Sequence, residues 1–131
     1  MNKSEEILNL LRYSKETKSV NDKFVVIGTI NKKNIEFISK YTDENLTGYK
    51  RIIDVSAIRH TLKRHPDLCE SDYCLIPLIV GNPDCVEKGK DENTFVYKRV
   101  FDDTFYYVEY VRKGRKYLAM KTFYKRKNRS K

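Results

Sequence analysis

The sequence predicts an α+β domain in which helices pack on one face of a twisted antiparallel sheet. Three observations carry this. Helical patterns fill the first part of the chain and strand patterns close it. The 131 residues suffice for one domain on the usual scale of about 100–200 residues. Hydrophobic residues make up 40% and aromatics 12%, enough to bury a core and to exclude a wholly disordered chain.

Taken in order, Ser4 followed by Glu5 and Glu6 reads as a helix cap with an acidic first turn, and Ile7, Leu8, Leu10 and Leu11 continue as an apolar stripe ending near Tyr13. Lys15 to Asp22 is a polar connector. Phe24 to Ile30 is β-branched and apolar and reads as a strand. Asn31 to Asn34 reads as a turn, and the alternation of Ile35, Phe37 and Ser39 with Glu36, Ile38 and Lys40 as a second strand closing a hairpin. Lys50 to Asp54 is a short strand leading into a helix from Ser56 to about His65, which Pro66 closes. Along that helix Val55, Ile58 and Leu62 share a buried seam, while Arg59, Lys63 and Arg64 point outward. Ser71 and Asp72 open a segment to Val80 that Pro77 kinks or splits, and Gly81, Asn82 and Pro83 stop it. Thr94 to Phe101, Phe105 to Arg112 and Lys116 to Lys125 form a meander turned at Asp102-Asp103 and Lys113-Gly114. The single domain, 1–131, thus divides into an N-terminal helix and connector (1–22), a core (23–124) and a basic tail (125–131).

No stretch approaches the roughly 18 consecutive apolar residues that span a bilayer, and the first residues lack a secretory apolar run. This points to a cytoplasmic protein without a membrane partner. Cys69, Cys74 and Cys85 are an odd number, which favours reduced thiols. His60 and His65 lie just upstream of Cys69 and Cys74, but the second closely spaced pair of a zinc site is missing, so neither metal nor cofactor is expected. The net charge is +9, and Lys125, Arg126, Lys127, Arg129 and Lys131 supply over half of it. Such a tail is either a solvated terminus or an aid to holding a polyanion.

Only two histidines exist, and both fall on the helix closed by Pro66. Five residues along a helix turn about 140° around its axis, so the rings converge only if the helix end frays, which is where His65 stands. Arg59, Lys63 and Arg64 depress an imidazole pKa and attract phosphate, an environment suited to acid/base work on a phosphodiester; an exposed basic face is the plainer alternative. On the last strand Leu118 and Met120 share parity with Thr122 and Tyr124, so a core-facing row turns polar at its end. Lys98 and Arg99 are adjacent, so one of them faces the same side, and parity leaves open which. Tyrosines interleaved with Lys and Arg, as in Tyr97-Lys98-Arg99 and Phe123-Tyr124-Lys125-Arg126, suit RNA, since rings stack on bases and cations hold phosphates.

The run Asp54 to Asp67 with its double histidine, the Ile76-Pro77 and Asn82-Pro83-Asp84 helix and the terminal Thr122-Phe123-Tyr124 strand resemble the phage-associated branch of the barnase, EndoU, colicin and RelE group of nucleases (the BECR fold). The resemblance covers roughly residues 50–125. It implies a compact ribonuclease fold, helices packed on an antiparallel sheet of four to five strands, that cleaves RNA without a metal, tRNA being a frequent target. The leading reading is an endoribonuclease acting by 2′-hydroxyl transesterification to a 2′,3′-cyclic phosphate. Carried over, His60 and His65 are general acid/base residues, Lys98 or Arg99 the transition-state cation, and Thr122 and Tyr124 phosphate or base contacts. Arg59, Lys63, Arg64, Lys125, Arg126 and Lys127 then hold the nucleic acid. Members are often toxins or phage-encoded effectors delivered into a target cell, with an immunity protein or antitoxin as partner. The chain departs in lacking an obvious glutamate partner of the barnase type, and its first 23 residues lie outside the pattern. The first helix is a remnant, a partner-binding element or a clasp on the sheet. The alternative is an RNA- or protein-binding module that keeps the fold without the chemistry, or a structural phage component.

Overall fold

The computed structural model describes residues 2–16 and 23–128. The connector beyond residue 16 and the tail cations Arg129 and Lys131 lie outside the described residues. The elements are α1 (Lys3–Glu16), β1 (Phe24–Thr29), α2 (Lys32–Ile38), β2 (Lys50–Asp54), α3 (Val55–Arg64), α4 (Glu70–Tyr73), α5 (Ile76–Gly81), β3 (Cys85–Lys88), β4 (Thr94–Val100), β5 (Asp103–Arg112) and β6 (Tyr117–Lys127). They form an α+β domain around one six-stranded sheet of order β1-β2-β6-β5-β4-β3. The β2/β6 pair is parallel and every other pair antiparallel. The sheet is therefore mixed and larger than the four to five antiparallel strands expected. The added strand is β3, whose four residues are too few to show alternation in the sequence.

The expected hairpin after β1 does not form. Residues 32–38 are a helix, because the Asn31 side chain accepts a hydrogen bond from the Asn34 amide at 2.8 Å and caps it. Ile35 and Ile38 then share a helical face, and β1 pairs with β2 instead. The same two asparagines dock α2 on the end of α5: Asn31 Nδ2 donates to the Gly81 carbonyl and Asn34 Nδ2 to that of Val80. Pro77 stands at the first turn of α5, so the 70–81 segment is split in two, as proline at a helix start allows.

In α1 the cap is Asn2, whose Oδ1 accepts from the Glu5 amide at 2.8 Å. Ser4, expected to cap, donates instead to the Cys74 carbonyl at 2.8 Å. Ile7, Leu10 and Leu11 are at most 1% exposed. Each such side chain contributes about 1.5–3 kcal/mol of burial. The helix packs on α3, α4, α5 and β1, and Arg12 pairs with Glu70. Its contacts are with three helices and the edge strand β1, so it packs mainly on the helical layer rather than on the sheet.

The core lies between the helices and the sheet face that bears Phe95, Tyr97, Phe105, Tyr107 and Phe123. On the same face Arg51 and Glu109 form an ion pair with side chains 3% and 0% exposed. On the opposite face Val96, Lys98, Tyr106, Thr122 and Tyr124 are partly exposed.

On its β6 side, strand β2 reaches only Tyr117, Leu118 and Ala119. Helix α3 follows β2 without a loop and packs along the remainder of β6. At ~1.5 Å per helical and ~3.3 Å per strand residue, the rise from Ala57 to His65 matches that from Met120 to Tyr124. The end of α3 is thereby delivered to the end of β6.

Candidate nucleic-acid interface and active site

Register across the meander sets a row of side chains on the uncovered face. Tyr124 of β6 stands opposite Tyr106 of β5, and Tyr106 opposite Lys98 of β4. The two tyrosine rings stack with centroids 4.8 Å apart. Lys98 Nζ lies 5.3 Å from the Tyr106 centroid, and the Arg126 guanidinium lies 5.6 Å from that ring and 5.7 Å from Tyr124. His65 completes the row. Its amide still donates to the Thr61 carbonyl, but at φ −132° and ψ 67° it has left the helical path. Its ring lies on Tyr124, centroids 5.2 Å apart and planes 26° from parallel. Pro66 bars α conformation at the preceding residue, which places the break at His65.

The parity argument for Thr122 and Tyr124 is corrected by a bulge. Val108 pairs with Thr122, yet the next residue, Glu109, pairs with Met120, leaving Lys121 as an extra residue in β6. Leu118 and Met120 face the core, and so does Phe123, while Thr122 and Tyr124 turn to the open side. Without the bulge Tyr124 would point into the core. The Thr122 hydroxyl oxygen is itself buried and has no hydrogen-bond partner among the described residues.

Register also decides between Lys98 and Arg99. Arg99 pairs across from Phe105, on the core side of the strand, where its Nη1 donates to the Asn82 carbonyl. Lys125 likewise leaves the row: its ammonium lies 2.9 Å from Asp72, which caps α4 by accepting from the Cys69 amide. Burial works to raise the Asp72 pKa, but the Cys69 amide and the Lys125 cation hold it below the usual carboxylate range. Lys63, Arg64 and Lys127 are exposed, and Arg59 Nε donates to the Ser14 carbonyl, tying α3 to α1. His60 does not join His65. It lines an adjoining hollow with Tyr110, Met120 and Lys121.

The electrostatics of the row follow from this packing. The His65 pKa is lowered, first by burial and then by His60 and Arg64, with Asp67 opposing. Its imidazole is therefore a neutral base near pH 7. Burial raises the Tyr124 phenol, although Arg126 and Lys98 pull the other way, so it stays protonated. Glu87 on β3, 3.4 Å from Lys98 Nζ, raises the lysine and keeps it charged. A neutral proton acceptor thus stands at one end of an aromatic platform flanked by cations.

Tyr106, Glu87 and the bulge at Lys121 were not singled out in the sequence. The alternation of Phe105, Tyr106 and Tyr107 marks Tyr106 as facing opposite its neighbours, but which face is core depends on the pairing. Cys69 is exposed, and Cys74 and Cys85 are partly so. Among the described residues no group of three or more His, Cys, Asp or Glu side chains is placed to hold a metal ion, and no helix is long and apolar enough to cross a membrane.

An α+β domain that sets an imidazole and stacked, cation-flanked rings on one uncovered sheet face is the build of a nuclease-like protein. The chain belongs to the phage-Barnase-EndoU-ColicinE5/D-RelE like nuclease3 family, which it matches over residues 26–131. Helix α1 precedes the matched region. No curated protein and no solved structure matches the chain.

Proposed function

We propose that the chain is a metal-independent endoribonuclease, with tRNA the first substrate to try. The observation that carries the reading is the neutral His65 imidazole stacked at the end of the Tyr124, Tyr106 and Lys98 row. His65 accepts the proton of a ribose 2′-hydroxyl, whose oxygen attacks the adjacent phosphorus. The P–O5′ bond breaks, the 5′-oxygen takes a proton, and the products are a 2′,3′-cyclic phosphate and a 5′-hydroxyl. Lys98 and Arg126 offset the charge that grows on phosphorus, and the tyrosine hydroxyls are the candidate phosphate or base contacts. His60, the chain's other imidazole, is the candidate acid for the leaving oxygen. Use as a toxin or phage effector, neutralised by an immunity protein or antitoxin, belongs to the same reading.

Incubation of the purified chain with tRNA in EDTA is expected to yield discrete fragments. Intact RNA under those conditions would sink the proposal. A binding-only module draws support from the placement of His60 in a hollow with Tyr110, Met120 and Lys121, apart from the Tyr124 stack that holds His65; it expects steeply salt-dependent binding and no fragments.

A further inference from the structure

The hollow that holds His60 does not end there. It shares Asp54, Ser56 and Arg112 with a second cleft of ≈ 600 Å³, which Phe24, Ile52, Arg115 and Tyr117 complete. That volume lies within the range of about 300–1,000 Å³ usual for a small-molecule site. Phe24 is 43% exposed, unusual for so apolar a ring, and packs against Tyr117 with centroids 5.8 Å apart. Arg112 is fixed over the cleft by Asp54 at 3.1 Å and by the Tyr110 hydroxyl, so the one carboxylate in the wall is already neutralised. Arg115 is exposed on the Lys113–Arg115 turn beside it. The cleft therefore offers an aromatic surface and the exposed guanidinium of Arg115, beside an Arg112 already paired with Asp54.

Strand β6 connects this cleft to the row: Tyr117 lines the cleft, Met120 and Lys121 the His60 hollow, and Tyr124 the row. At ~3.3 Å per residue the separation from Tyr117 to Tyr124 is about 20 Å, more than one nucleotide spans. We infer that the Phe24, Tyr117, Arg112 and Arg115 cleft is a distal subsite that holds a nucleotide of the same RNA strand, several positions from the scissile bond. The inference rests on the reading of the chain as a ribonuclease. Stacking on Phe24 and Tyr117 and phosphate pairing with Arg115 make the subsite tolerant of base identity.

The test uses the full chain and 2′-O-methyl RNA, which resists attack, as a dinucleotide and as an octanucleotide. The parent is expected to bind the octanucleotide more tightly. Phe24→Ala combined with Arg115→Ala is expected to lower octanucleotide affinity about 5- to 100-fold, the range of one lost stacking contact, while leaving dinucleotide affinity and cleavage of the unmethylated dinucleotide unchanged. Arg115→Ala alone, at an exposed position, shows the same direction with no risk to folding. Variants that bind both lengths like the parent, or lose both alike, overturn the subsite alone. A parent that binds neither length and cleaves nothing overturns the ribonuclease reading with it.

Discussion

Replacing His65 by alanine is expected to lower RNA cleavage by about 10²- to 10⁴-fold, the span of a lost general base, with RNA affinity nearly unchanged. The binding cations, Lys98 and Arg126, stay in place, so the loss falls on kcat rather than KM. The pH dependence carries the same signature. Burial, His60 and Arg64 hold the His65 pKa below its ordinary value of 6.5. The base form therefore persists to lower pH than in a solvated histidine, and the acid limb of kcat/KM lies below pH 6.5. Tyr124→Ala uncovers the ring and moves that limb upward, whereas Tyr124→Phe, which keeps the stack, leaves it in place. A His65→Ala protein that cleaves like the parent removes His65 from the chemistry.

Glu109→Gln is expected to destabilise the domain by about 3–5 kcal/mol, because it leaves the Arg51 cation buried without its counter-charge. Arg51 Nε is shared between the Glu109 oxygens at 3.3 and 3.1 Å, and its guanidinium lies 4.9 Å from the Tyr97 ring centroid. Arg51 Nη2 has no partner among the described residues, so the pair is incompletely satisfied even in the native state. Total stability of such a domain is about 5–15 kcal/mol, so the loss is a large share of it. Replacing both partners, Arg51→Met with Glu109→Leu, restores much of it. Urea unfolding of the three proteins measures this; a loss below about 1 kcal/mol for Glu109→Gln would show that water reaches the pair. Arg51 lies on β2, which leads directly into α3, so the pair also anchors the base of the helix that carries His60 and ends at His65.

Features set by local chemistry were legible in the sequence: the Val55, Ile58 and Leu62 seam of α3, the break at Pro66, the split at Pro77 and the three strands of the meander. Features set by pairing were not. In 32–38 the apolar residues fit a strand and a helix equally, and the Asn31 cap decided for helix. Parity placed Leu118 and Tyr124 on one face, and a single extra residue at Lys121 reversed it. Adjacent Lys98 and Arg99 were separated only by the β4/β5 register, which sends Arg99 to the Asn82 carbonyl. Lys125 reads as a tail cation but is claimed by Asp72 more than fifty residues away in sequence. The Arg51 and Glu109 pair leaves no local trace, since two charged residues on partly polar strands look exposed until the sheet closes over them.

Under the proposed function, this open face activates a ribose 2′-hydroxyl. A single 2′-deoxy substitution at the scissile nucleotide of an otherwise unchanged RNA, cleaved in EDTA with the fragment ends identified, tests it most directly. The parent RNA is expected to give a 2′,3′-cyclic phosphate and the substituted RNA to remain whole at that position. Cleavage of the deoxy site at the parent rate would mean that some other nucleophile attacks, and that the imidazole beside Tyr124 has a different task.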